Sequence, residues 1–415
     1  MHPFLILCFI SLCVSQKLIV PMDFHQTDHL KAYGIAYSFI GKEYKIEWVL
    51  NYRGGAFIFP DQPEIRQRLV LKGVSFEALS GQDYVSIRET VEQENMEVIE
   101  LQKAPKIAVY TPKDKLPWDD AVTLALTYAE VTYDKIYDEE ILNGHLSKYD
   151  WLHLHHEDFT GQYGKFYANY RNAQWYIETQ FKSEERARKL GFTKVSEEKK
   201  AVARTIKAYV DKGGFMFAMC SATDALDIAL AAEKTDIAEH MFDGDGIAPD
   251  YQQKLDFTKT FAFTDFNLLT NPYQYEYSTI DVPPSHQPRI RDAETDYFSL
   301  FDFSAKYDPI PTMLTQSHVK TVKGFMGQTT MFRKEHIKSH VTVLGQIEES
   351  NEIKYIYGQS GKGFFAFYGG HDPEDYTHAV GDPPTDLSLH KNSPGYRLIL
   401  NNILFPAAKK KKLKT

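Results

Sequence analysis

Short apolar runs bounded by Gly, Pro or Asp alternate along most of the chain with stretches of helical spacing. KLIVPMD, just after the first fifteen residues, reads as a strand, followed by a helix over 27–39 and a second strand in YKIEWVLNY. A Gly54-Gly55 turn leads to AFIF, then to a helix near 63–71 and a strand in GVSFEAL. These elements make a small α/β unit spanning 16–104. The pattern restarts at PKIAVYTP, with a helix in AVTLALTYAEV and a buried strand in KYDWLHLHHED. A helical, aromatic-rich insertion follows over 159–210, ending in the amphipathic SEEKKAVARTIKAYVDKGG. Next, GGFMFAM is a buried strand running straight into Cys220 and a helix, with Ser221 or Thr223 available as its N-cap. Residues 243–340 carry only short strand-like runs and read as an elaboration with β-hairpins. HVTVLGQI, a hairpin around Gly361 and the helix SPGYRLILNNILF complete a domain over 105–408, and 409–415 is a basic tail. Buried strands alternating with helices predict an α/β fold with a mostly parallel sheet covered on both faces.

Charge and ends narrow the classes. The net charge of −9, with no basic stripe in the body, argues against nucleic acid as a partner. MHPFLILCFISLCVS is too short for a spanning helix, so no integral membrane span is expected. Small Ser15 before Gln16 offers a cleavage point, so residues 1–15 read as a signal peptide of an exported protein, periplasmic or at the cell surface. Cleavage would remove Cys8 and Cys13 and leave Cys220 as the sole thiol. A single thiol makes no internal disulfide; it is buried, bonded to another chain, or reactive.

Three groups of residues carry candidate chemistry. Cys220 and His371 each follow an apolar strand, and parallel strands would bring them to one sheet edge, where imidazole can draw the thiol proton. Glu374 or Asp372 is then the group that orients the ring, and the amides of Ser221 and Ala222 are candidate oxyanion donors. The competing reading is an inert buried cysteine and a hydrogen-bonded loop histidine. In HLHHED, alternation points His153 and His155 to one strand face and His156 with Asp158 to the other or into the loop. His153, His155, His156 and Asp158 are therefore candidate ligands of a divalent metal, against a reading as pocket-lining residues. The loop from Asp372 through Asp375 and His378 to His390 reads as a pocket wall for a small-molecule or peptide-like substrate. No Walker loop, GxGxxG or CxxC is present.

KIAVYTP, YDWLHLHHED, GGFMFAMCSATD and GKGFFAFYGGHDPED occur in the order of the class I glutamine-amidotransferase-like fold, with a flavodoxin-like core. Within it the chain resembles the trehalose-utilisation-type branch, through its ATD turn and GKG-strand-GH element. The resemblance implies Cys220 as nucleophile, His371 as base, Glu374 as the acid and amide hydrolysis as the activity. The elbow here is Ala218-Met219-Cys220-Ser221-Ala222 rather than G-x-C-x-G, and the acid follows His371 by three residues instead of two. From IVPMD through LNYRGGAFIFP to the basic tail, the chain is also similar to exported Bacteroidetes proteins commonly labelled asparagine synthetase B. That label implies ATP-dependent amide transfer, which is not expected here: position 2 is His2, and no SGG-type pyrophosphate loop occurs. The readings carried forward are a thiol-dependent amide hydrolase, a non-catalytic binding or scaffold module, and a metal-assisted hydrolase.

Overall fold

A computed structural model describes residues 16–113, 117–282, 294–308, 312–376 and 379–408. The expected leader, His378 and the basic tail lie outside them. Five strands form an antiparallel sheet at the amino-terminal end: β1 (Lys17–Val20), β2 (Ile46–Leu50), β3 (Ala56–Pro60), β4 (Glu77–Leu79) and β5 (Glu97–Leu101), in the order β4-β1-β3-β2-β5. The helix His29–Ile40 packs on it, with Asp28 as N-cap accepting from the Lys31 N–H. Sequence patterning missed β5 and the helix Gly81–Gln93, whose capping box pairs Ser80 with Asp83.

The second sheet is larger and mixed. Its parallel half contains β6 (Ile107–Tyr110), β7 (Asp134–Ile136), β8 (Trp151–Leu154), β9 (Phe215–Met219) and β15 (Gly363–Tyr368), in the order β15-β9-β8-β6-β7. Its other half is antiparallel: β10 (Tyr297–Leu300), β11 (Thr321–Lys323), β13 (Thr342–Gln346) and β14 (Glu352–Ser360) extend it beyond β15, while β12 (Phe332–Arg333) pairs with β14. The α/β class holds, and the expectation of a mostly parallel sheet is corrected. The region over 243–340, too irregular in sequence to assign to a sheet, supplies three of the antiparallel strands.

Alternation along β9 sorts the core into two layers. Phe215, Phe217 and Met219 pack toward the helices His29–Ile40, Ala121–Ala129 and Pro394–Leu404; Met216 and Ala218 pack toward Val195–Asp211 and Ser221–Ala231. The helix Val195–Asp211 thus covers the sheet, although the sequence assigned it to an insertion. The first layer runs without a break from Leu18, Trp48 and Phe57 of the small unit to Leu398 and Leu404 of the last helix. Fully buried Arg397 crosses the expected boundary near 104, its guanidinium donating to the carbonyls of Met22 and Gly54. Among the described residues no helix is long and apolar enough to cross a membrane.

Candidate functional site

Strand β9 ends in Cys220, whose φ of 51° and ψ of −140° are unusual for a residue with a Cβ, a strain of about 1–3 kcal/mol. The turn is held by its own carbonyl, which accepts from the Thr223 N–H and hydroxyl at 3.2 and 2.7 Å. Cys220 itself is thus the N-cap of the helix Ser221–Ala231, and it makes no side-chain cap bond; neither Ser221 nor Thr223 takes that position. The thiol is fully buried, and its Sγ accepts the backbone N–H of Gln328 at 3.2 Å. The Gln328 side chain in turn donates to the carbonyls of Gly164 and Tyr275, which fixes this segment over the sulfur. Burial pushes the Cys220 thiol up to about 11, against the pull of the surrounding N–H groups. Ala222, expected as an oxyanion donor, gives its N–H to the His155 carbonyl at 2.9 Å.

His371 follows β15 through Gly369 and Gly370, and its N–H donates to the Met326 carbonyl at 2.7 Å. Its ring lies 4.6 Å from that of His155 and 4.1 Å from that of His156, centroid to centroid. The His155 and His156 rings are themselves 4.1 Å apart. One ring nitrogen from each of the three lies within 4.8 Å of the others, a spacing that suits three ligands of one cation. His155 is buried; its Nδ1 is 3.4 Å from the Asp120 carboxylate, and its Nε2 has no hydrogen-bond partner among the described residues. Asp120 is also the N-cap of the helix Ala121–Ala129, accepting from the Thr123 N–H. Burial pushes the Asp120 carboxyl up, but His153, His155 and that N–H outweigh it and hold the group below the usual carboxylate range. A second triple shares His371 and adds Asp119 and Asp372.

The remaining expected residues are placed differently. Both ring nitrogens of His153 are engaged, Nδ1 with the Phe217 carbonyl and Nε2 with Asp120, each at 3.1 Å, so this ring supports the cluster from behind. Asp158 closes a turn by accepting from Thr160 and the Gly164 N–H. Glu374 Oε2 lies 3.2 Å from His390 Nδ1 instead of orienting His371. Asp372 is buried and accepts from the Tyr396 and Thr385 hydroxyls and from the Glu374 and Asp375 N–H groups. The buried Ser221 hydroxyl has no hydrogen-bond partner among the described residues. Sequence reasoning passed over Asp120; an Asp at the start of a helical run signals only a cap, and its second role depends on β8 lying alongside.

A cavity of about 150 Å³ adjoins His156 and Glu157. Trp118 lines it, 5.6 Å from the His156 ring and in contact with Phe166 and Trp175. Glu157 is buried, accepts the His155 N–H at 2.8 Å, and is pushed up to about 8 by burial.

No protein-family model and no curated protein matches this chain. Among solved structures it is similar to the cytoplasmic protein STM3548 from Salmonella typhimurium, at 12% identity and a TM-score of 0.36, over 74% of this chain and 100% of that one. The cytoplasmic protein STM1381 from Salmonella typhimurium LT2 scores 0.36 at 11% identity, over 73% of this chain and 100% of that one. A β-galactosidase from Bacillus circulans sp. alkalophilus scores 0.27 at 12% identity, over 65% of this chain and 29% of that one.

Proposed function

We propose that this protein is a hydrolase of small molecules that works through a divalent cation held by His155, His156 and His371. The observation that carries the reading is the convergence of these three imidazoles within 4.8 Å beyond the carboxyl ends of β8 and β15. Open α/β sheets bind ligands at that edge. The Asp120 carboxylate faces His155 Nδ1 at 3.4 Å and leaves Nε2 to the ion, as a carboxylate behind a ligating histidine does. A bound cation would supply Lewis acidity and an activated water. Asp119 and Asp372, which group with His371, are carboxylates that could complete the set. Protein purified without chelator should hold close to one divalent ion per chain by elemental analysis, and His155→Ala or His371→Ala should lose it. Metal-free protein that also fails to take up Zn²⁺ or Mn²⁺ in titration calorimetry would end the proposal.

A second reading keeps Cys220 as the nucleophile of an amidotransferase-like core. The parallel order β15-β9-β8-β6-β7 and the positive φ of Cys220 favour it. Against it stand the buried thiol, the Gln328 N–H upon it, and the pairing of Glu374 with His390. With the thiol at about 11, roughly one sulfur in 10⁴ is a thiolate at neutral pH. Cys220→Ser separates the two readings: it should leave metal content and hydrolysis intact in the first and abolish hydrolysis in the second.

A further inference from the structure

Trp175, Thr179, Ser183 and Arg186 recur at helical spacing on the helix Gln174–Lys189, and all four line the cavity beside His156. From Trp175 to Arg186 this face runs about 16 Å along the helix axis. Its two ends differ in chemistry. At the first, Trp175 and Phe166 pack against Trp118, which itself meets the His156 ring, so the apolar end adjoins the histidine cluster. At the second, the Arg186 guanidinium lies over the Tyr137 ring at 4.6 Å, beside Lys199.

Arg186 is only partly committed to the protein. Its Nε meets Asp138 at 2.8 Å and Glu198 at 3.3 Å, and its Nη2 donates to the Ser183 hydroxyl at 3.2 Å. Nη1 has no protein partner among the described residues, and the side chain keeps 21% exposure at the cavity wall. Lys199 is used up by contrast, with both oxygens of Asp138 and the hydroxyls of Tyr110 and Tyr137 around its ammonium. These two cations face Asp138 and Glu198. Burial pushes the Glu198 carboxyl up to about 7, against the pull of Lys199 and Arg186. A planar guanidinium with unused N–H groups, partly exposed at a cavity wall, suits a carboxylate.

We infer that the ligand of this cavity is a small organic carboxylate, its apolar or aromatic body against Trp118, Phe166 and Trp175 and its anionic group on Arg186. This rests on the metal reading only in taking the His156 end as the place where the reacting bond lies.

The test uses 3-phenylpropionate and its uncharged isostere 3-phenylpropionamide, titrated against tryptophan fluorescence, with a Trp118→Phe variant to assign the signal. Both titrations are run on chelator-treated protein and on the same protein reloaded with Zn²⁺. The carboxylate should bind at least tenfold more tightly than the amide in both states, with the quenching reduced in Trp118→Phe. Arg186→Gln should remove that preference while amide binding stays the same. Equal binding of the two probes, or binding of neither, overturns the inference even if Arg186→Gln fails to fold, since the comparison stands on the unaltered protein. Selective binding to a protein that takes up no Zn²⁺ would uphold the carboxylate site and reject the metal reading alone.

Discussion

The ring of His371 lies 4.1 Å from that of His156, although the strands that deliver them, β15 and β8, are separated by β9. Each chain segment continues past its strand end and turns inward across the end of the strand between them. The elbow at Cys220 belongs to that middle strand, so the thiol and the imidazoles share one sheet edge while the thiol accepts a backbone N–H from another segment.

Asp120→Asn tests the support of the cluster. Asn retains the cap on the Thr123 N–H but removes the charge facing His153 and His155. Divalent-ion affinity should fall about 10- to 100-fold by titration calorimetry. The metal-free melting temperature should move little; a collapse of the fold would reassign Asp120 to a purely structural role.

Cys220 should resist iodoacetamide at pH 8 in the native protein and react once unfolded. Its thiol sits higher in the folded chain than in the unfolded one, so the unfolded state loses its proton first as pH rises. The associated stability is present below about pH 9 and declines toward pH 11, by about 2–3 kcal/mol in all. Urea denaturation of native and Cys220→Ser protein across that window measures the difference, and identical slopes would contradict the assignment.

Buried Asp224 accepts from the Thr329 hydroxyl at 2.8 Å and is pushed up to about 7 by burial, with Thr329 and nearby N–H groups pulling the other way. Stability tied to this group is full below its ordinary carboxyl range and declines as pH rises toward 7. Asp224→Asn keeps an acceptor for Thr329 and removes the charge. It should flatten the fall in stability between pH 4 and 7, read from urea midpoints; an unchanged slope would place the titration elsewhere, with buried Asp227, pushed up to about 6 by burial, the first alternative.

Gly34 lies where the small unit packs directly on the larger one. A Cβ there would come within 1.6 Å of the Ala129 carbonyl oxygen, at the crossing of the helices His29–Ile40 and Ala121–Ala129. Gly34→Ala should therefore cost at least about 1–3 kcal/mol. Because the core is continuous, the loss should appear as one cooperative transition rather than early release of residues 16–104. Two separated transitions would argue for independent domains.

Local pattern determined much about this protein. The apolar run ending at Met219, the Gly361 hairpin, the closing helix over Pro394–Leu404 and the helical stripe of Val195–Asp211 are written in nearest-neighbour chemistry, where a period of two or 3.6 residues decides which face is buried. The histidines of HLHHED were visible as a cluster for the same reason. Partnership was decided by the tertiary structure. His371 could be paired with Cys220 from sequence order, yet its ring contacts are with His155 and His156, because which side chain turns inward past a strand end depends on the loop beyond it. Glu374 was three residues away in the chain and went to His390, which the same loop folds back upon it. The antiparallel strands β10 through β12 were equally hidden, since they are short and irregular and gain their strand character from distant partners: β10 from β13, β12 from β14, and β11 from β10. Spacing along a chain records which residues share a face; which faces meet is set by long-range packing.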